Sequence, residues 1–310
     1  MNNYINYYYN LFPENIEIKE KNYYFTIKQD KYYFIPYERT IDELKILVLL
    51  NDEMIKRNSL IHEIILNKGK EAITIVDGTP YILLRVYINE YKKVDLGDVL
   101  FMLDNNDGVV PNKVLNRMNW SELWSSKVDY FEQQVTQVTK TYPLLYKTID
   151  YYIGLAENAI SYIKQVELKN NNNIISPITV SHKRVYTDYT LFDLYNPTNL
   201  IIDYKIRDIS EYIKMAFFND IYIWDEIKYI FSTYNFSKIS LELFYGRLLF
   251  PSYYFDIYED IIRNEEEENK IFNIIEKTIQ YEIFLREMYY YINEYTPIEP
   301  VGWLIKKAPL

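Results

Sequence analysis

The chain has 310 residues, 49% apolar and 25% charged, enough to bury a core in one large domain or two packed lobes without cross-links. It contains no cysteine and two histidines, His62 and His182. That excludes a disulfide framework, a thiolate zinc site, a cysteine nucleophile and a multi-histidine metal site.

A net charge of −10 argues against nucleic acid as a default partner. No apolar run reaches the roughly 18–20 residues that cross a bilayer, so no transmembrane segment is expected. The start, Met1 to Asn10, has neither the basic end nor the apolar stretch of a signal peptide. The expectation is a protein that stays inside the cell that makes it. Glycine occurs 7 times, against a usual share of roughly 7 per cent, and no GxGxxG, GxxxxGK[ST] or GxSxG pattern is present. Tyrosine occurs 35 times. An A+T-rich coding bias accounts for part of that, so the number alone marks no binding surface.

Residues 15–88 read as short strands around one helix. Ile16 to Ile18, Tyr23 to Lys28 and Tyr32 to Ile35 are β-branched or aromatic runs with polar breaks. Ile41, Leu44, Val48 and Ile55, with Leu47 and Met54 beside them, fall at helical spacing. Thr40 and Glu43 before that stripe form a capping-box signature. Strands return at Ile61 to Leu66, Ala72 to Val76 and Tyr81 to Ile88, separated by Lys68-Gly69 and by Asp77-Gly78, a hairpin signal. Residues 89–119, with Asp95, Asn105, Asn106, Asp107-Gly108 and Pro111, read as a polar connector.

From Trp120 the pattern is helical. Trp124, Val128, Phe131, Val135 and Val138 form one stripe, and Leu145, Ile149, Tyr152, Ala156, Ile160 and Ile163 a second. After an irregular stretch at 174–205, helices are expected at 207–218, at 222–249 with a break near Asn235-Phe236, and at 252–296. The run Glu265 to Glu268 reads as a solvated turn or helix start. The organisation is α+β, with an N-terminal lobe at 1–90, a linker at 91–119 and a helical lobe at 120–310. This is the layout of a two-lobe, kinase-type fold.

Phosphoryl transfer in such a fold needs four parts. A lysine on the third strand holds phosphates and a loop beside a histidine supplies the base. An asparagine shortly after it and an aspartate ending the next strand hold magnesium. Ser181-His182-Lys183-Arg184 is the candidate loop, and Leu200-Ile201-Ile202-Asp203 ends in the candidate metal aspartate. The segment 195–214, through Asn196-Pro197-Thr198-Asn199 and Arg207-Asp208, resembles the spore-coat members of the aminoglycoside-phosphotransferase-like kinases, the YutH type. Residues 32–50, 120–130, 281–285 and 301–304 are similar to the same family, so the resemblance spans nearly the whole chain. It implies a protein-kinase-like fold with a small β-rich lobe and a large helical lobe. It also implies passage from the mother-cell cytoplasm to the spore coat, with other spore coat proteins as partners.

Measured against that family's active relatives, three parts are missing. The strand lysine falls at Ile35 or Pro36. Arg184 stands in place of the catalytic aspartate, and an arginine keeps its proton at any working pH. Tyr189 replaces the asparagine. Asp203 alone stays in register, and one carboxylate holds magnesium poorly; Asp188 is a nearby substitute. No catalytic residue and no cofactor are therefore expected. His182 would brace its loop, and His62 would pack at the surface or in a hairpin. Asp208, with Glu211, would be structural, capping the following helix or bracing the loop. The expected function is a coat component whose fold has lost phosphotransfer. Two other classes stand beside it. One is an active small-molecule phosphotransferase using Asp203, Asp188 and a displaced Lys31. The other is a non-catalytic nucleotide or metabolite binder. The tyrosine clusters read as amphipathic packing positions, and a cross-linking role for them rests on the coat resemblance alone.

Overall fold

The N-terminal residues form helix α1 (Asn2–Tyr9), then strands β1 (Glu17–Lys19), β2 (Asn22–Ile27) and β3 (Asp30–Pro36), helix α2 (Ile41–Lys56), strands β4 (Glu63–Ile65), β5 (Ile73–Val76) and β6 (Thr79–Val86), and helix α3 (Leu96–Asn105). Helices α4 (Trp120–Val138) and α5 (Pro143–Lys169) follow, then β7 (Ile178–His182), α6 (Leu191–Leu194), a single-turn helix at Pro197–Asn199, and β8 (Leu200–Tyr204). The rest is helical: α7 (Ile206–Phe218), α8 (Trp224–Thr233), α9 (Lys238–Leu249), α10 (Ser252–Asn264), α11 (Phe272–Glu276), α12 (Thr278–Tyr295) and α13 (Gly302–Lys306). The computed structural model describes residues 1–19, 21–57, 60–87, 91–109, 111–138, 141–186, 188–264 and 267–306. Ile88, the Val138 side chain, Glu265 and Glu266, each part of an expected element, lie outside them.

Two units emerge, residues 1–116 with 179–202, and residues 117–178 with 203–310. Residues 91–116 thus group with the sheet and do not form a separate linker. The polar residues read there as turns are the two ends of α3. Asp95 caps it in a reciprocal box with Asp98, and Asn106 closes it. Between them Leu96, Val99, Leu100, Met102 and Leu103 are buried.

In the first unit the sheet runs β1-β2-β3-β6-β4, with β5 also paired to β6, and every pairing is antiparallel. Asp77 and Gly78 both take positive φ, 49° and 81°, the geometry a two-residue hairpin needs to match strand twist. One face of the sheet packs Phe25, Phe34, Val76 and Leu83 against Ile5 of α1. The capping box at Thr40 and Glu43 is present. The buried stripe of α2, however, is Leu44, Leu47, Leu50, Asn51 and Met54, and Ile41 is left exposed. Asn51 turns the helix to this face. Its amide donates to the His62 carbonyl at 2.8 Å and accepts from the Ile64 N–H at 3.0 Å, so it stitches α2 to β4.

In the second unit α5 packs against α4 and α9. Gly246 of α9 makes the last contact close, since a Cβ there would lie 2.5 Å from Ile163 Cδ1. The helix expected at 252–296 is three helices. The acidic run that interrupts it does more than meet solvent, because the Glu268 carboxylate accepts the backbone N–H groups of Leu144 and Leu145 at 2.6 and 2.8 Å. It therefore caps α5, whose own cap residue, Tyr142, makes no such bond.

Buried tyrosines make the fold sensitive to alkali. Burial pushes Tyr37, Tyr152 and Tyr258 up to about 12, and Tyr253, Tyr254 and Tyr281 further the same way. The unfolded chain releases these protons near pH 10 while the folded one keeps them. Their contribution to stability is complete below about pH 10 and is lost as pH climbs toward about 12. In an alkaline titration, part of the tyrosinate absorbance should appear only together with loss of the helical circular dichroism. A single reversible tyrosine transition with the helices intact would contradict this.

Candidate functional site

In the first unit, Ile35 is buried opposite Ile82, and Pro36 lies opposite Tyr81; neither offers a cation to a phosphate. Lys31, the second residue of β3, lies opposite Val86 with its ammonium 6.0 Å above the Tyr91 ring. Arg39, just beyond β3, donates to the carbonyls of Thr198 and Leu200 at 2.8 and 2.7 Å and pairs with Glu43. His62 is buried, contrary to the surface or hairpin role expected of it. Its Nε2 donates to the Phe192 carbonyl at 3.0 Å, and its backbone N–H to that of Tyr195. His182 Nε2 donates to the Leu194 carbonyl at 2.7 Å. The backbone bonds Leu191 to Lys92 and Val94 to Tyr189 complete the attachment of residues 189–200 to the rest of this unit. Arg184 is half-buried and donates to the neighbouring Lys183 carbonyl. Tyr189 packs edge-on to Tyr186, and Asp188 is exposed in a turn.

Asp203, in the second unit, has no solvent exposure. Trp120 Nε1 donates to both its oxygens, at 3.0 and 3.1 Å. The Tyr204 N–H donates to Oδ1 at 2.8 Å, and Arg207 Nε stands 3.0 Å from Oδ2. Burial pushes the Asp203 carboxyl up to about 6, against the pull of Arg207 and Arg247. Arg207 also reaches Asp208 at 2.8 Å. Asp208 is thus the third residue of α7, held by a guanidinium. The cap position falls to Lys205, whose side chain makes no capping bond.

The charges continue inward along α7. Lys214, fully buried, places Nζ within 3.1 Å of four acceptors: Glu211, Ser252 Oγ and the carbonyls of Arg247 and Phe250. Arg247 donates to the same Glu211 carboxylate and lies 5.0 and 5.3 Å from the Trp120 and Trp124 rings, a cation–π contact on an indole pair. Burial opposes the Glu211 charge, but Lys214, Arg247 and Arg207 outweigh it and hold the carboxyl far below its usual range. Burial also lowers Lys214, to about 8, with Glu211 resisting. One signal in the sequence marks this network: α7 carries Arg207, Asp208, Glu211 and Lys214 on one side and Ile209, Ile213 and Ala216 on the other, and both sides are buried. The partners supplied by α9 and α10 leave no local signal.

Magnesium requires hard oxygen ligands with free lone pairs in near-octahedral array. The Asp203 oxygens are already held by an indole, an amide and a guanidinium, with a second guanidinium nearby. Among the described residues, no three histidine, aspartate or glutamate side chains group as a metal site. The residues around Asp203 do not fit a magnesium ion.

A small antiparallel sheet unit with one long helix, followed by a mostly helical unit, is the arrangement of the aminoglycoside phosphotransferase class of kinase-like folds. An aminoglycoside phosphotransferase from Alicyclobacillus acidocaldarius matches the structure with a TM-score of 0.62 at 11% identity, over 92% of this chain and 94% of that one. Spectinomycin phosphotransferase APH(9)-Ia, solved with ADP and spectinomycin, matches with a TM-score of 0.56 at 15% identity, over 84% of each chain. Likeness at such identities concerns the fold. The family described as "Spore coat putative kinase YutH" matches residues 2–288, and the chain belongs to that family. The endospore coat-associated protein YutH of Bacillus subtilis (strain 168) is 28% identical over 210 residues, 60% of this chain. The match covers 61% of that relative's length.

Arg207 bridges two buried carboxylates, Asp203 and Asp208. Arg207→Met should cost about 3–5 kcal/mol, the usual penalty for stranding buried charge, and Asp208→Asn should cost less than Asp208→Ala. Both losses should be the same with and without magnesium in chemical denaturation. A loss seen only with magnesium present would assign these carboxylates to a metal.

Proposed function

We propose that this protein is a spore coat component whose kinase-like fold serves as a scaffold and transfers no phosphate. The observation that carries the reading is the state of Asp203, a buried carboxylate whose oxygens are committed to Trp120, Tyr204 and Arg207. Ile35 and Pro36 on the third strand, Arg184 in the loop and Tyr189 beyond it support the same conclusion. Each loss alone is compatible with rewired chemistry. Together they remove phosphate binding, base and metal from one reaction. Family membership supports the coat, reached from the mother-cell cytoplasm, with other coat proteins as partners. The net charge of −10 suits protein surfaces better than nucleic acid.

With magnesium-ATP and a panel of hydroxyl and amine acceptors, phosphate transfer should stay at background. At about 1 mM magnesium-ATP the melting temperature should rise by less than about 2 °C, because a ligand with Kd above that concentration adds little stability. Turnover that disappears in Asp203→Ala would overturn the reading, and a larger thermal shift without turnover would favour a nucleotide binder.

A fluorescent fusion expressed during sporulation should first fill the mother-cell cytoplasm and then ring the forespore. Fluorescence that stays diffuse through coat assembly would remove the coat assignment while leaving the loss of phosphotransfer untouched.

A further inference from the structure

The C-terminal end of α7 borders a groove that has no part in the network around Asp203. It lies between the turn joining α7 to α8 and one face of α12, with a volume of about 330 Å³. Asp203 precedes the other end of α7. Thirteen residues of helix, at about 1.5 Å each, separate the two by roughly 20 Å.

Aromatic rings and carboxylates build the groove. Phe217 and Phe284 stand 5.1 Å apart, and Trp224 meets Phe284 edge-on at 5.7 Å. Tyr222 stands in the turn, 66% exposed. Asp220 and Glu287 are the carboxylates of the lining. Lys277 stands beside it, and its ammonium is committed to Asp220 at 2.6 Å and to the Phe218 carbonyl at 2.8 Å. Glu287 is exposed, one helical turn beyond Phe284 on α12.

An aromatic wall ending in a carboxylate recognises an alkyl stem that terminates in positive charge. The stem packs on the rings, the cation is drawn to their faces, and the carboxylate pairs with it at the rim. The volume is at the lower end for ligand sites, the size of one or two side chains. We infer that this groove docks a basic segment of a partner protein, one arginine or lysine side chain lying against Trp224 and Phe284 with its head group on Glu287. The charge of the two surfaces favours this occupant, since a chain with a net charge of −10 draws basic partners before contact. The inference rests on the groove and holds whether or not the protein is found in the coat.

The test uses the purified full chain and a fluorescein-labelled hexapeptide of alternating leucine and arginine, with fluorescence anisotropy as the readout. The same peptide with citrulline keeps the shape and three of the five N–H donors but replaces one amino group by a carbonyl and removes the charge. The arginine peptide should bind saturably and about tenfold more tightly than the citrulline form. Glu287→Gln and Trp224→Leu should each weaken it about three- to tenfold, while Glu14→Gln, which removes an exposed charge from the first unit, should leave it unchanged. Unchanged circular dichroism of each variant establishes that the fold is intact. Glu287→Gln keeps the helix and its length, so it decides the matter if Trp224→Leu fails to fold. Equal affinity for both peptides, no saturable binding, or equal weakening by Glu14→Gln would overturn the assignment.

Discussion

The helical unit is organised around charge that never reaches water. Asp203, Asp208 and Glu211 face Arg207, Lys214 and Arg247, three of each sign, all nearly or wholly buried. Taking such ions out of water costs several kcal/mol apiece, and only mutual pairing with full hydrogen bonding offsets it. Pairing here is dense: Arg207 spans two carboxylates, and Glu211 takes an ammonium, a guanidinium and a hydroxyl. Removing one member would strand the others, which fixes α7, α9 and the start of α10 in a single arrangement.

That network gives Asp203 a place in the packing of the helical unit. Asp203 answers to Trp120 and Arg207, and both belong to the packing of the helical unit. Removing a carboxylate with such partners would strand the Arg207 charge. In the sheet unit, side chains also bond to the backbone of residues 192–200. His62, His182 and Arg39 all donate to backbone carbonyls between residues 192 and 200, so these polar groups act as ties between chain segments.

Features set by neighbouring residues were legible in the sequence. The Thr40 and Glu43 box, the Asp77-Gly78 hairpin and the second helical stripe needed no distant partner to be read. Asp95 and Asn106 misled because caps and turns use the same residues, and the helix between them is short. The stripe of α2 was displaced because a buried asparagine counted as polar, although its amide closes onto β4. The helix over 252–296 was read too long because Glu268 acts on another helix altogether. For the candidate site, the residues at the lysine, base and asparagine positions could be named only by position against the family. What occupied the surviving aspartate could not, since Trp120 lies 83 positions away and Arg247 comes from another helix.

The cap on α5 sets an order of events during synthesis. Glu268 follows Leu144 by 124 residues. At roughly 5–20 residues per second, the first turn of α5 is made about 6–25 s before the carboxylate that satisfies it leaves the ribosome. Through that interval the N-terminus of α5 depends on water for its free N–H groups. The nascent chain therefore passes through a stage in which all of α5 has been made while its start still lacks its cap.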